Sequence, residues 1–352
     1  MNIFILLSIN FVYGFLGNIV SNAKPLPYEA IFNFGDSFSD TGNAGILYPQ
    51  YPGNKNSYGS TYFKHPTGPK AYGFQYLPVY MNLTKAKDIK KGVNFAVSGA
   101  TALDVEYFKK RGGYQPTSDK SLSVQLDWFK KLKPSLCKRK ECDNYFKKSL
   151  FLVGEIGGND IISLLSLKNE TELKRGVPLI IQTIANVTAA LIEEGAVELA
   201  VPGNVPIGCS AGTILLANST KKSDYDQFGC LIHFNTFMEN YNKQLKHAIK
   251  ILRKKYRQAE IIYFDYYNDT KRLYQAPQKF GVIWFSSDKN EALKACCVQC
   301  GSSASKVCPN PSKYVSWDGV HFTEATYKVL AKGLLEGHFA HPSLRPPPSK
   351  IA

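Results

Sequence analysis

Three residue types in this chain could carry acyl-transfer chemistry: a hydroxyl near its start, and an imidazole and a carboxylate close together near its end. The hydroxyl is Ser37, in Phe34-Gly35-Asp36-Ser37-Phe38-Ser39-Asp40-Thr41-Gly42-Asn43, directly after the apolar run that starts at Ala30. Such a run reads as a buried strand, and the Gly, Asp and Asn that follow read as its end and a turn. A serine there sits at the edge of a sheet where open α/β folds bind ligands, and it is the candidate nucleophile. The same stretch also reads as a strand followed by a capping serine. Of the 6 histidines, His321 stands out in Trp317-Asp318-Gly319-Val320-His321-Phe322, because Asp318 precedes it by three residues and both can face one way from a single turn. A carboxylate held there would fix the imidazole tautomer and stabilise the imidazolium. Taken alone, Asp-x-x-His also reads as a surface turn.

Two further turns follow apolar runs: Ser98-Gly99 and Gly157-Gly158-Asn159. They offer a closely approaching backbone N–H and an amide side chain, the donors that a tetrahedral oxyanion needs. A competing nucleophile is Ser210 in Gly208-Cys209-Ser210-Ala211-Gly212, which matches G-x-S-x-G. That elbow needs a strand directly before it, and Pro202, Gly203 and Pro206 interrupt the approach.

These turns can meet only if a parallel sheet gathers them at one rim. Strands are expected at 30–34, 93–97, 150–153, 197–201 and 261–264. Helical spacing marks Leu122, Leu126, Phe129 and Leu132; Ile180, Ile184, Val187 and Leu191, with Gly195 placed to end the helix; Phe234, Phe237, Tyr241, Leu245 and Ala248; and residues 323–335. Alternating strands and helices imply a mainly parallel sheet covered on both faces, in one domain without repeat or linker. Residues 47–78 read as a long surface loop, and 281–311 as an irregular Cys-rich region.

The chain of 352 residues carries 43 Lys and Arg against 28 Asp and Glu, a formal charge of +15. The basic residues are scattered and form no long tract with interleaved aromatics, so they read as a solvated surface rather than a nucleic-acid site. The charge favours anionic surroundings, and association with anionic cell-wall polysaccharide is expected rather than nucleic acid. Residues 1–23 read as a signal peptide: residues 3–17 are apolar and Ser21-Asn22-Ala23 offers a cleavage site. Asn10, Gly14, Gly17 and Asn18 make the run a poor membrane anchor, and no later segment reads as apolar enough to cross. The domain is expected at 24–340, with a disordered Pro-rich tail at 341–352.

Asn82, Asn169, Asn186, Asn218 and Asn268 open N-x-Thr sequons, Asn186 inside a helical pattern. The 8 cysteines are an even number, as in exported, disulfide-bonded chains. Cys137 with Cys142 and Cys209 with Cys230 are plausible pairs. Cys296, Cys297, Cys300 and Cys308 allow three connectivities, and their C-x-x-C also fits zinc; disulfides are the better reading for an exported chain.

Four blocks, in order, resemble the GDSL-type esterase/lipase (SGNH hydrolase) family and its plant branch: Gly35–Asn43 as written above, Gly92-Val93-Asn94-Phe95-Ala96-Val97-Ser98-Gly99-Ala100, Gly157-Gly158-Asn159-Asp160, and Trp317-Asp318-Gly319-Val320-His321. The finer pattern is most similar to members that deacylate small acylated metabolites, of the acetylajmalan esterase type. The resemblance implies a flavodoxin-like three-layer α/β/α sandwich with a mainly parallel five-stranded sheet, and no metal or organic cofactor. It implies Ser37 as nucleophile, His321 as base and Asp318 as its orienter. The oxyanion donors it implies are the Ser37 and Gly99 amides and the Asn159 side chain. One departure is Pro66-Thr67-Gly68-Pro69-Lys70-Ala71-Tyr72-Gly73, where the family has Pro-Thr-Gly-Arg and then Ser-Asp-Gly-Arg opening a helix. The expected activity is that of a secreted (or vacuolar) serine esterase on a small-molecule ester. Two alternatives stay open: an acyltransferase with the same residues, and a glycosylated binding protein on an inactive hydrolase fold.

Overall fold

Short apolar runs build the sheet of the computed structural model, which describes residues 28–50, 77–85, 89–112, 114–138, 140–280, 293–300 and 302–344. The expected leader and the departure at 66–73 lie outside these residues. Strands β1 (Ala30–Phe34), β2 (Gly92–Asn94), β3 (Ser149–Val153), β4 (Glu198–Pro202) and β5 (Glu260–Phe264) are parallel, in the order β2-β1-β3-β4-β5. The order reverses at β1, so the crevice beside its C-terminal end is the switch point where such sheets bind ligands. In register, Phe34 lies opposite Val153 and Asn33 opposite Asn94.

A separate hairpin pairs β6 (Cys297–Val298) with β7 (Lys306–Val307). The main sheet has a sixth strand that the sequence does not announce. β8 (Ala340–His341) runs antiparallel to β5, and Leu344 beyond it is 9% exposed. The ordered fold therefore passes position 341, where the tail was expected to begin, because Leu344 has apolar surface to bury against the sheet.

The α-helices among the described residues are α1 (Asn43–Leu47), α2 (Val105–Lys109), α3 (Leu122–Leu136), α4 (Lys140–Lys147), α5 (Gly158–Ser166), α6 (Glu170–Glu193), α7 (Ala211–Ala217), α8 (Ile232–Lys255), α9 (Tyr266–Gln275) and α10 (Glu324–Leu335). One sheet face presents Phe32, Phe34, Phe151, Val153, Leu199 and Val201 to the apolar stripes of α3, α6 and α8. The other presents Leu150, Ala200, Ile262 and Phe264 to Leu334, Ala340 and Leu344. Phe129 of α3 packs edge-on against Phe32, with ring centroids 5.5 Å apart.

Contrary to the reading above, α6 is long and apolar enough to cross a membrane by length and composition. Ile180, Ile184 and Leu191 are buried against the sheet, so that apolar stripe belongs to the core. Its start is capped by Asn169, which accepts from the Thr171 and Glu172 amides, and Gly195 follows its end at φ 108°.

Gln125 ties the core to the loop after β1. Its side chain is fully buried, accepting from Gly35 N at 2.8 Å and donating to Gly35 O at 2.8 Å. Gln125→Leu keeps the volume but strands the Gly35 N–H. It should lower stability by about 1–3 kcal/mol, read as a lower urea midpoint; an unchanged midpoint would contradict this role.

Candidate active site

The loops that follow β1 and β3 meet because the strands are neighbours. Gly154 N donates to Phe34 O at 3.2 Å, and Asp36 N donates to Glu155 O at 2.9 Å. This sets Ser37 at the rim, partly exposed, one residue beyond a buried Asp36. Gly99 follows β2 at φ 78°, and a Cβ there would lie 1.9 Å from Thr117 Oγ1, so the close approach requires glycine. Gly157, at φ 102°, caps α5 and puts Asn159 in its first turn. His321 precedes α10, whose N-cap Thr323 accepts from Thr326 N.

The rim brings Ser37, His321 and Asp318 into one hydrogen-bonded series. Ser37 Oγ lies 2.7 Å from His321 Nε2, and His321 Nδ1 lies 2.6 Å from Asp318 Oδ2. A carboxylate only accepts, so Nδ1 carries the ring proton and Nε2 is left to accept from the serine hydroxyl. The other oxygen of Asp318 accepts from the Val320 and His321 amides at 2.9 and 2.7 Å, which locks the carboxylate within the turn. The Phe38 ring packs on the imidazole with centroids 5.3 Å apart.

Burial pulls the His321 pKa down. Attraction and hydrogen bonding from Asp318, with smaller contributions from Asp36 and Glu155, outweigh it and raise the pKa above its ordinary value. Asp36 is itself pushed up to about 8, chiefly by burial.

Among the described residues, the backbone N–H groups of Ser37 and Gly99 donate to no protein atom. Asn159 Nδ2 donates to Ala100 O at 2.9 Å and faces Asp36 Oδ2 at 3.3 Å. The second contact is long, so a ligand oxygen can replace it. One hydroxyl activated by an imidazole, beside unpaired amide donors, is suited to attack on a carbonyl carbon.

The sequence reading missed the polar side chains that hold these loops. The Asp40 carboxylate accepts from the Gly42, Asn43, Ala44 and Ser98 amides. Asn43 Nδ2 donates to Asn94 O and Ala96 O, and Asp160 accepts from the Ala102 and Leu103 amides. The signal was available, since Asp40, Asn43, Asn94 and Asp160 all fall in the four sequence blocks, but their partners are distant in the chain.

Ser210 follows a 3₁₀ turn, Ile207–Cys209, rather than a strand. It caps α7, and its hydroxyl donates to Gly319 O instead of an imidazole. The nucleophile-elbow geometry is therefore missing. The cysteines pair as Cys137–Cys142, Cys209–Cys230, Cys296–Cys308 and Cys297–Cys300, which chooses among the open connectivities and takes from the last four the free thiolates that zinc needs. Cys296 N and Cys297 N donate to Ser316 O and Trp317 O, tying this knot to the turn that carries Asp318. Of the sequon asparagines, Asn169, Asn186, Asn218 and Asn268 are exposed and Asn82 is partly so.

Comparison with known proteins places this geometry. The family model described as GDSL-like Lipase/Acylhydrolase matches residues 31–334. A GDSL esterase/lipase of Arabidopsis thaliana is 43% identical, covering 90% of this chain and 93% of its own. A second from the same plant is 40% identical over 90% of this chain and 88% of its own. Sinapine esterase of Brassica napus is 38% identical over 92% of this chain and 89% of its own.

The raised His321 pKa has a direct readout. By NMR the His321 ring should titrate above the roughly 6.5 of an unperturbed imidazole, and Asp318→Asn should bring that midpoint down. Titration at or below 6.5 in the unaltered protein would contradict the electrostatic reading.

Proposed function

The chain belongs to the GDSL-like lipase/acylhydrolase family and is a carboxylic-ester hydrolase, and from that premise we propose that it is a secreted serine esterase acting through an acyl-enzyme on Ser37. Its substrates are short-chain acyl or acetyl esters of small plant metabolites. The observation that carries the reading is the unbroken series Ser37 Oγ–His321 Nε2 and His321 Nδ1–Asp318 Oδ2, at 2.7 and 2.6 Å.

Ser37 Oγ attacks the ester carbonyl carbon as its proton passes to His321 Nε2. The Asp318 carboxylate stabilises the imidazolium formed. Charge on the carbonyl oxygen is received by the Ser37 and Gly99 amides and by Asn159 Nδ2. The bond to the alcohol oxygen breaks as the imidazolium protonates it. Water, giving a proton to His321, then attacks the acyl carbon, and Ser37 leaves with that proton. The steps draw on side chains, two backbone amides and water.

A relative named as an esterase of one compound, sinapine, supports a small ester as substrate. Four disulfides fit an oxidising compartment. With the apolar leader pattern at 3–17 and five sequons they support export and glycosylation, with the mature domain starting near residue 24. The charge of +15 supports contact with anionic wall polysaccharide.

Ser37→Ala should cost on the order of 10⁶ in kcat, and Asn159→Ala roughly 10²–10³, measured on p-nitrophenyl acetate. Hydrolysis should fall as the acyl chain lengthens. The acid limb of kcat/KM should lie above about 6.5, because His321 must be neutral to accept the proton and its pKa is raised. Retained activity in Ser37→Ala would refute the nucleophile. A transesterified product outpacing free acid when an alcohol is supplied would make the protein an acyltransferase.

A further inference from the structure

The G-x-S-x-G stretch has no part in the chemistry above, yet it is bonded to the turn that carries it. Ser210 Oγ donates to Gly319 O at 2.5 Å, and Gly212 N donates to the same oxygen at 2.9 Å. Gly319 lies between Asp318 and His321 in the chain. Among the described residues, the cysteine knot reaches this turn only upstream of Asp318, through Cys296 N to Ser316 O and Cys297 N to Trp317 O, and these other bonds are internal: Gly319 N to Ser316 Oγ, Val320 N and His321 N to Asp318 Oδ1, and Trp317 N to His321 O. These fix the shape of the turn and the Asp318–His321 pair. They do not fix where the turn sits relative to Ser37.

The Gly319 carbonyl is where a second element grips it. That element is firmly held. Cys209 is bonded to Cys230, Leu231 N donates to Gly208 O at 2.8 Å, and Gly208 N donates to Asn235 Oδ1 at 2.9 Å. The approach is close: Gly319 has φ 96°, and a Cβ on Gly212 would lie 3.1 Å from Gly319 O.

We propose that Ser210 is a positioning residue for ester hydrolysis: with the Gly212 amide it clamps the Gly319 carbonyl and so holds His321 Nε2 on the Ser37 hydroxyl. The proposal rests on the assignment of Ser37, His321 and Asp318 given above. Losing one of two donors lets the turn shift as a unit, and a displacement approaching 1 Å at the reacting groups costs up to about 10²-fold in rate. Substrate binding, which the clamp does not touch, is left alone.

The test is steady-state kinetics of Ser210→Ala and Ser210→Thr, with mass-spectrometric mapping of a fluorophosphonate label. Ser210→Ala should lose roughly 10- to 100-fold in kcat with KM within about two-fold, while Ser37 still takes the label, more slowly. Ser210→Thr keeps a hydroxyl and a good helix cap and should recover most of the rate. Ser210 also caps α7, so Ser210→Gly, a cap that costs only a few tenths of a kcal/mol, serves where the alanine variant folds poorly, with the same expected kcat loss. Unaltered kcat in Ser210→Gly or Ser210→Ala, or a rise in KM that accounts for the whole effect, would overturn the clamp and leave the Ser37 assignment standing. A label mapping to Ser210 in the unaltered protein would overturn both.

Discussion

A single hydrogen bond, from Ser37 Oγ to His321 Nε2, joins residues 284 apart in the chain. Such a bond weakens steeply with small errors in distance and angle, and neither partner sits in a helix or strand. The fold must therefore hold two loops as firmly as it holds its core. It does so with buried polar side chains, each answering several backbone groups. Asp40 takes four amides around the nucleophile loop, Gln125 pairs with both polar groups of Gly35, and Asp160 takes two amides beyond Gly99. Leaving any one of these groups buried and unpaired would be costly, so the loops have one low-energy arrangement rather than many.

The same burial sorts the carboxylates near the imidazole. Asp36 is enclosed below the nucleophile, and burial pushes its pKa up to about 8. Asp318 accepts two backbone amides and the imidazole N–H, bonds that favour its ionised form. Two carboxyl groups of similar type thus differ in their surroundings, and the one held by two backbone amides faces Nδ1. The raised His321 pKa follows, and it moves the lower end of the base's working range up from that of an unperturbed imidazole.

Much of this was legible in the chain. All five parallel strands were marked by short apolar runs, although β2 ends at Asn94 while its run continues to position 97, and Gly195 and Thr323 marked helix ends that the structure shows. Three of the candidate turns could be named because a parallel sheet sends every strand's C-terminal loop to one rim, and the fourth, at 317–321, by the spacing of Asp318 and His321. What stayed hidden depends on contacts between distant residues. β8 is two residues long, in a Pro-rich stretch with no periodicity to read. Cys296 and Cys297 are adjacent, so spacing alone does not say which reaches Cys300; the bonds of both amides to Ser316 O and Trp317 O fix their directions. Gly157-Gly158-Asn159 reads as the stop of a strand, whereas it is also the start of α5, since a left-handed glycine can open a helix as well as end a strand. Ser210 looked like a rival nucleophile because its motif was visible and its partner, Gly319, was not.

The most direct measurement is a rapid acid quench during the first turnover of a p-nitrophenyl ester, followed by peptide mass spectrometry. Acylation of Ser37 should give a burst of p-nitrophenol close to one per chain and leave an acyl group on the peptide carrying Ser37. No burst with no acylated peptide, or an acyl group on any other residue, would contradict it.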